Sequence, residues 1–358
     1  MSLWKETFGD SSEYISLVFD TYFSPDKIAF HEEGGEIKAA LLTLPYSFES
    51  SAKTELKGLY LCGLATRKDA RHRGLMSGLL EETNQRAKEA GFDFTFLIPS
   101  EEGIRRYYRD RGYHDAFYKK KEYYVKGHKF GNAEGFTILK YEGKNEETVL
   151  KFLLGTGNLP YKGKNSFLLQ HTQEDWETVL KEALISGDTV YLAYKDDTIK
   201  SIGFCKIKHQ SIDIKKLIAI DKQSEEALLN GISKENPDCN IILTRDLESL
   251  IEQEDSNQLW SPFYAQNNSK NAEYEDIAVI EEPYNETMNS FSFGMINIFN
   301  LEGLLRKTGY DNLKSLDAYS EEEIKKLVLR KPVGRKADAL EQILNLPEIN
   351  FSMSLMLE

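Results

Sequence analysis

Cysteine is scarce: Cys62, Cys205 and Cys239 are the only three in 358 residues. Three widely spaced thiols, an odd number, fit reduced thiols better than a disulfide framework. Histidine is also sparse, and His31, His72, His114, His128, His171 and His209 lack the close spacing of zinc ligands, so no metal is expected. No apolar run approaches the roughly 20 residues that a bilayer span requires. The opening MSLWKETFGD has no basic segment followed by an apolar one, as a secretory leader would. A cytoplasmic protein without membrane contact is the expectation.

The rest of the composition is that of a globular chain, 41% hydrophobic and 29% charged. Its length exceeds one compact core of usual size and suggests two or three domains. The net charge of −13 is unevenly spread: residues 1–130 hold 20 basic and 20 acidic side chains, so the whole acidic excess lies beyond them. Clusters such as ESLIEQED and EYEDIAVIEEP disfavour nucleic acid as a partner, because phosphate binding relies on grouped Lys and Arg. They would tolerate a cationic ligand, but a solvated surface that keeps the protein soluble is the reading they favour.

The first third alternates legibly. SSEYISLVFDTYF has a cap and helical apolar spacing, and KIAFHEEGGEIKAALLTLPYSF reads as two strands around Glu33-Gly34-Gly35-Glu36. ELKGLYLCGLAT has the continuous apolar character of a buried strand, and GLMSGLLEETNQRAKEA continues as a helix ending near Gly91. FDFTFLIP is another buried strand, EEGIRRYYRDRG a short helix closed by Gly112, and YHDAFYKKKEYYV a final strand. The expected order is α-β-β-β-α-β-α-β.

Between the third strand and its helix stands RKDARHRG, residues 67–74. A helix leaves its first N–H groups unpaired and converging on one spot, which suits a phosphate. Gly74 admits a close backbone approach and Arg71 and Arg73 add charge. No Gly-Lys-Ser/Thr follows, so this is not a Walker A loop, and the second and third glycines of the dinucleotide fingerprint are missing. A pyrophosphate cradle and a merely exposed basic helix start both fit the loop alone.

LATRKDARHRGLMSGLL resembles the acetyl-CoA loop of the GCN5-related N-acetyltransferases (GNAT), whose pattern is Arg/Gln-x-x-Gly-x-Gly/Ala after a strand; Arg71 and Gly74 match it. Met76 departs from the last small position, as in Eis-type members with an Arg-Arg-Gly-Leu-Leu-like run. LIPSEEGIRRYYRDRGY is similar to the family's later segment, with Tyr108, Gly112 and Tyr113 in place. The resemblance implies acetyl-CoA as donor and no metal. Its pantetheine arm would lie along Leu64, Ala65 and Thr66, and its pyrophosphate on the amides of Arg71, His72, Arg73, Gly74 and Leu75. A strand N–H near Leu64 would stabilise the tetrahedral oxyanion, and Tyr108 would protonate the departing thiolate, with Tyr107 the alternative one residue earlier. In Eis-type enzymes the chain's own terminal carboxylate acts as base, which carries over to the carboxyl of Glu358. Cys62, near the cofactor strand, reads as a small hydrophobe.

Farther on, DTVYLAYKDDTIKSIGFCKI reads as a hairpin and DIKKLIAIDKQSEEALLNGI as a strand and helix. This echoes the first copy's second half, but no Arg-x-x-Gly follows LIAID, so the second copy should bind no cofactor; Asp221 and Lys222 stand at the matching position. FSFGMINIFNLEGLLRKTGY is similar to the opening of the sterol-carrier-like domain of Eis-type proteins, while SEEEIKKLVLR and ADALEQILNL read as helices, so that domain looks shortened. The implied fold class is α+β: tandem GNAT folds, with mixed, mostly antiparallel sheets flanked by helices, over residues 1–130 and 131–286, and a small α+β unit over 287–358. The implied activity is acetyl transfer to a primary amine of a small cationic molecule or a lysine. A non-catalytic acyl-CoA sensor and a peptidyl-type transferase using aminoacyl-tRNA are the alternatives, and a homo-oligomer is left open.

Overall fold

A computed structural model describes residues 1–159, 166–246, 290–310, 313–316, 319–329 and 350–352. The first copy runs α1 (Ser2–Phe8), α2 (Ser12–Tyr22), β1 (Ile28–Glu33), β2 (Glu36–Glu49), β3 (Glu55–Thr66), α3 (Leu75–Glu89), β4 (Phe94–Leu97), α4 (Arg105–Arg109) and β5 (His114–Tyr124). The second runs β6 (Thr137–Lys140), α5 (Glu146–Phe152), β7 (Ser166–Gln170), α6 (Gln173–Ile185), β8 (Thr189–Lys195), β9 (Thr198–Ile207), β10 (Ser211–Ala219), α7 (Lys222–Glu235) and β11 (Asn240–Asp246). Then come β12 (Ser290–Ile298), α8 (Leu301–Lys307), α9 (Glu321–Val328) and β13 (Asn350–Ser352).

Local chemistry accounts for most of these elements. Ser11 caps α2 by accepting the Tyr14 amide, and capping boxes open α6 at Thr172/Asp175 and α7 at Asp221/Ser224. Asp196 and Asp197, at φ 51° and 58°, form the left-handed pair that joins β8 to β9. The first-third elements fall where the sequence places them, preceded by the additional helix α1.

The strands join one mostly antiparallel sheet, in the order β13-β7-β2-β3-β4-β12-β5-β11-β10-β9-β8-β6, with β1 on β2. The two copies meet where β5 pairs antiparallel with β11, Tyr124 opposite Ile241 and Lys119 opposite Asp246. Ser290–Ile298, expected to open a third unit, lies inside the first copy's sheet, between β4 and β5 and antiparallel to both. Leu304, Leu305, Ile324 and Val328 of the two helices after it join the apolar layer of Phe48, Phe94, Phe96 and Phe117. The reason is burial: each of those rings is at most 2% exposed, and covering such a ring is worth about 1.5–3 kcal/mol.

The copies are also stitched side to side. Asp175, capping α6, accepts the hydroxyls of Tyr22 at 3.0 Å and Tyr46 at 3.1 Å from the first copy. Burial foremost, with the Asp175 charge behind it for Tyr22, raises both phenols far above their usual range, so both remain donors.

Candidate functional site

β3 and β4 run parallel but pair only from Gly58↔Phe94 to Tyr60↔Phe96. β3 then continues to Thr66 while β4 ends at Leu97, so a wedge opens between them. Within that wedge β3 carries a bulge: its register on β2 jumps from Leu42↔Cys62 to Ala40↔Ala65, so Gly63 and Leu64 together face Leu41. Gly63 takes φ 60°, as a glycine-led bulge requires. A bulge withdraws backbone groups from the ladder, and these become available to a guest.

Past Thr66 the chain makes a short turn over Lys68–Ala70 and buries Ala70. His72 and Gly74 are both left-handed, at φ 64° and 78°, and Gly74 caps α3 without any side-chain bond to the first amides. Apart from its own chain neighbours and helix backbone, nothing lies within 4 Å of where a Gly74 Cβ would stand, so the helix start faces open space. That geometry suits an anion.

The arginines divide their work. Arg71 is exposed, its Nε donating to Thr66 O at 3.3 Å. Arg73 is committed to a fork on Glu33, at 2.6 and 2.9 Å, and foremost this hydrogen bonding holds the Glu33 carboxyl below its ordinary range. Arg111, which the sequence analysis did not single out, donates to Ser77 Oγ at 2.7 Å and to Tyr107 O at 2.7 Å, and its guanidinium lies 3.6 Å from the Tyr107 ring. Ser77 belongs to the first turn of α3, so Arg111 fastens α4 to the edge of the loop. Its only sequence signal is its position four residues after Tyr107.

Tyr108 on α4 lies in the apolar layer beneath α3, with Leu79, Leu80 and Tyr113, against which Leu64 and Leu75 also pack. It is 5% exposed, edge-on to Tyr107 at 5.3 Å and Tyr113 at 5.9 Å. Burial is the main cause that raises its phenol above the usual range, leaving a neutral O–H. The structure thus brings Leu64, Leu75 and Tyr108 into one layer, with Ala65, Thr66 and residues 71–74 continuing along the wedge and loop. Glu358 lies outside the described residues. Cys62 packs on the opposite face, and burial pushes its thiol up to about 12, so it stays protonated. Among the described residues no cluster of three or more His, Cys, Asp or Glu is arranged to hold a metal.

The second copy repeats the wedge and fills it. β10 pairs parallel with β11 only from Ser211↔Asn240 to Ile214↔Leu243. Beyond that point Lys216 Nζ binds Asp246 at 2.6 Å, and Arg245 forks onto Glu225 and reaches Glu122 at 2.8 Å. At the start of α7 the Asp221 carboxylate already accepts the Ser224 amide at 2.8 Å.

Residues 1–116 match the family described as the acetyltransferase (GNAT) domain. No curated protein matches the chain in sequence. In structure it is similar to a probable N-acyltransferase from Enterococcus faecalis, with 11% identity over 86% of this chain and 71% of that one and a TM-score of 0.61. It is also similar to a GCN5-related N-acetyltransferase from Anabaena variabilis, with 12% identity, 83% and 69% coverage and a TM-score of 0.57. A third similar structure is Eis1 from Mycobacterium abscessus, with 12% identity, 68% and 61% coverage and a TM-score of 0.52. Likenesses at this identity concern the fold alone, and the match to the GNAT acetyltransferase family is confined to residues 1–116.

Proposed function

We propose that this chain transfers the acetyl group of acetyl-CoA to a primary amine, on a small cationic molecule or a lysine, by direct attack in a ternary complex. The observation that carries the reading is one continuous path: a bulged strand edge left unpaired in a wedge, running into a left-handed, side-chain-free helix start, with a neutral buried phenol in the same layer.

In this reading the pantetheine arm pairs with the strand edge at Leu64, Ala65 and Thr66, and the pyrophosphate rests on the amides from Arg71 to Leu75. The amine nitrogen attacks the thioester carbon, and a backbone N–H near Leu64 holds the oxyanion. The C–S bond then breaks, Tyr108 gives its proton to the thiolate, and the nitrogen loses a proton to a base. A lysine-like amine is neutral in only about one molecule in a few thousand at pH 7, so that base is essential. The carboxyl of Glu358 is proposed for it by resemblance. Catalysis is assigned to residues 1–130, and residues 131–286 wall the acceptor side without holding a cofactor. For residues 287–358 the resemblance proposes a shortened sterol-carrier-like domain, whose first strand, β12, lies between β4 and β5.

The 5% exposure of Tyr108 favours one second reading, a non-catalytic acyl-CoA sensor. A panel of amines with acetyl-CoA, read by thiol release, separates the two. Gly74→Glu puts a side chain and a negative charge on the helix start, and calorimetry should show acetyl-CoA affinity lost from a folded protein. Unchanged binding would remove the loop from the donor site.

A further inference from the structure

The bulge that the donor would reach is not bare on both faces. A Cβ built at Gly63 would run into the six-membered ring of the Trp4 indole, with Cε3 and Cη2 each at 2.8 Å. The indole therefore lies directly against the backbone at Gly63, with no space between them. It is held there firmly: Nε1 donates to Asp10 Oδ2 at 2.7 Å, Phe8 packs at 5.2 Å and Phe19 edge-on at 5.8 Å. The short helix that carries it is tied to the loop as well, since the Glu6 carboxylate accepts the Lys68 amide at 3.3 Å.

A mere anchor for α1 could have used any apolar surface. This indole instead occupies the one place on β3 where the ladder is interrupted and where a glycine has removed the side chain. A thioester seated at Leu64 has the α3 layer on one side and the indole on the other. On that placement, each methylene added beyond the acetyl methyl would extend towards the six-membered ring.

We propose that Trp4 closes the acyl end of the transfer slot and restricts the donor to acetyl-CoA against longer acyl-CoAs. The inference rests on the acetyltransfer reading above and adds the determinant of acyl length to it. The indole touches the acyl group alone; the pantetheine and pyrophosphate contacts lie farther along β3 and the loop, so affinity for coenzyme A itself is independent of Trp4.

The test is a graded series in the full chain, Trp4→Phe, Trp4→Leu and Trp4→Ala, assayed by thiol release with acetyl-, propionyl-, butyryl- and hexanoyl-CoA at one fixed amine. Coenzyme A affinity is measured in parallel by calorimetry. One methylene in a closed pocket discriminates by about 10- to 200-fold. The ratio of kcat/KM for butyryl- over acetyl-CoA should accordingly rise at least about tenfold in Trp4→Ala, with Trp4→Phe between it and the parent and coenzyme A affinity constant. Asp10→Ala, which frees the indole but keeps it, should shift the ratio the same way by less. A constant ratio across the series overturns the inference, as does a change confined to the KM of the amine, which would make Trp4 part of the acceptor wall. Trp4→Phe retains an aromatic ring on α1 and keeps the test open if the smaller residues fail to fold. A parent protein that binds no coenzyme A would instead sink the acetyltransfer reading, and this inference with it.

Discussion

The two wedges of this chain start from the same plan and end as opposites. In both, a long strand runs parallel to the next for three or four residues and then parts from it, and a helix begins at the wide end. In the first, the helix start is a left-handed glycine with open space around it, and the strand edge is bulged and uncharged. In the second, Asp221 has taken the Ser224 amide in the first turn of α7, and Lys216, Asp246, Arg245 and Glu225 fill the gap with ion pairs. The same backbone is thus an open edge or a brace according to whether its polar groups find partners inside the protein. A guest anion at α7 would have to displace a carboxylate already in place, whereas at α3 it meets unpaired donors.

The sharpest way to break the comparison is to remove the chemistry from the open wedge. Tyr108→Phe should lower kcat by about a hundredfold or more with little change in acetyl-CoA affinity, the signature of a lost general acid. Full turnover by that variant would pass the proton to water or to Tyr107. In the closed wedge the expected effect is on folding. Asp246→Leu leaves the Lys216 ammonium, 13% exposed, without that carboxylate, and the loss should be about 3–5 kcal/mol. Urea denaturation measures it, and a loss below 1 kcal/mol would mean that the pair does not brace the wedge.

The seam between the copies supplies a pH test. His171 is 4% exposed, packed on Trp176 and facing Tyr46, and burial foremost brings its pKa down to about 4. The unfolded chain takes up a proton near pH 6.5 and the folded one near 4, so the unfolded state binds more protons between those values. Stability should therefore fall as pH drops from 6.5 towards 4, and His171→Phe should remove that part of the slope. An unchanged slope would assign it to other groups. The smallest effect belongs to the closed cap: Asp221→Ala should cost about 1 kcal/mol and leave acetyl-CoA binding at one site per chain. A second bound acetyl-CoA in that variant would show that the cap alone had kept the second cradle shut.

Much of the open wedge was legible because its signals are local. Arg71 and Gly74 sit at fixed offsets in a strand-loop-helix, Tyr108 stands four residues before Gly112, and the absent Arg-x-x-Gly after LIAID marked the second copy as different. That the second wedge is filled, not merely unfurnished, was illegible: Lys216 and Asp246 are 30 residues apart. So was the diversion of Arg73 to Glu33, 40 residues back. An arginine in a loop carries the same sequence signal whether it faces a phosphate or a neighbour's carboxylate.

For the first third of the chain after α1, the sequence alone determined the kinds of elements and their order, because periodicity, capping and turn chemistry act within a few residues. It also determined that the Arg-x-x-Gly of the first loop has no counterpart after LIAID. Only the tertiary structure decided which strands are neighbours. SFSFGMINI reads as a strand wherever it pairs, and the site for it beside FTFL arises only once β4 and β5 are folded and leave an edge to cover. The placement of Trp4 on Gly63 was decided in the same way, since a glycine records that something comes close but not what. Pairing and close approach are set by burial across the whole chain, and that is a quantity no short window of residues contains.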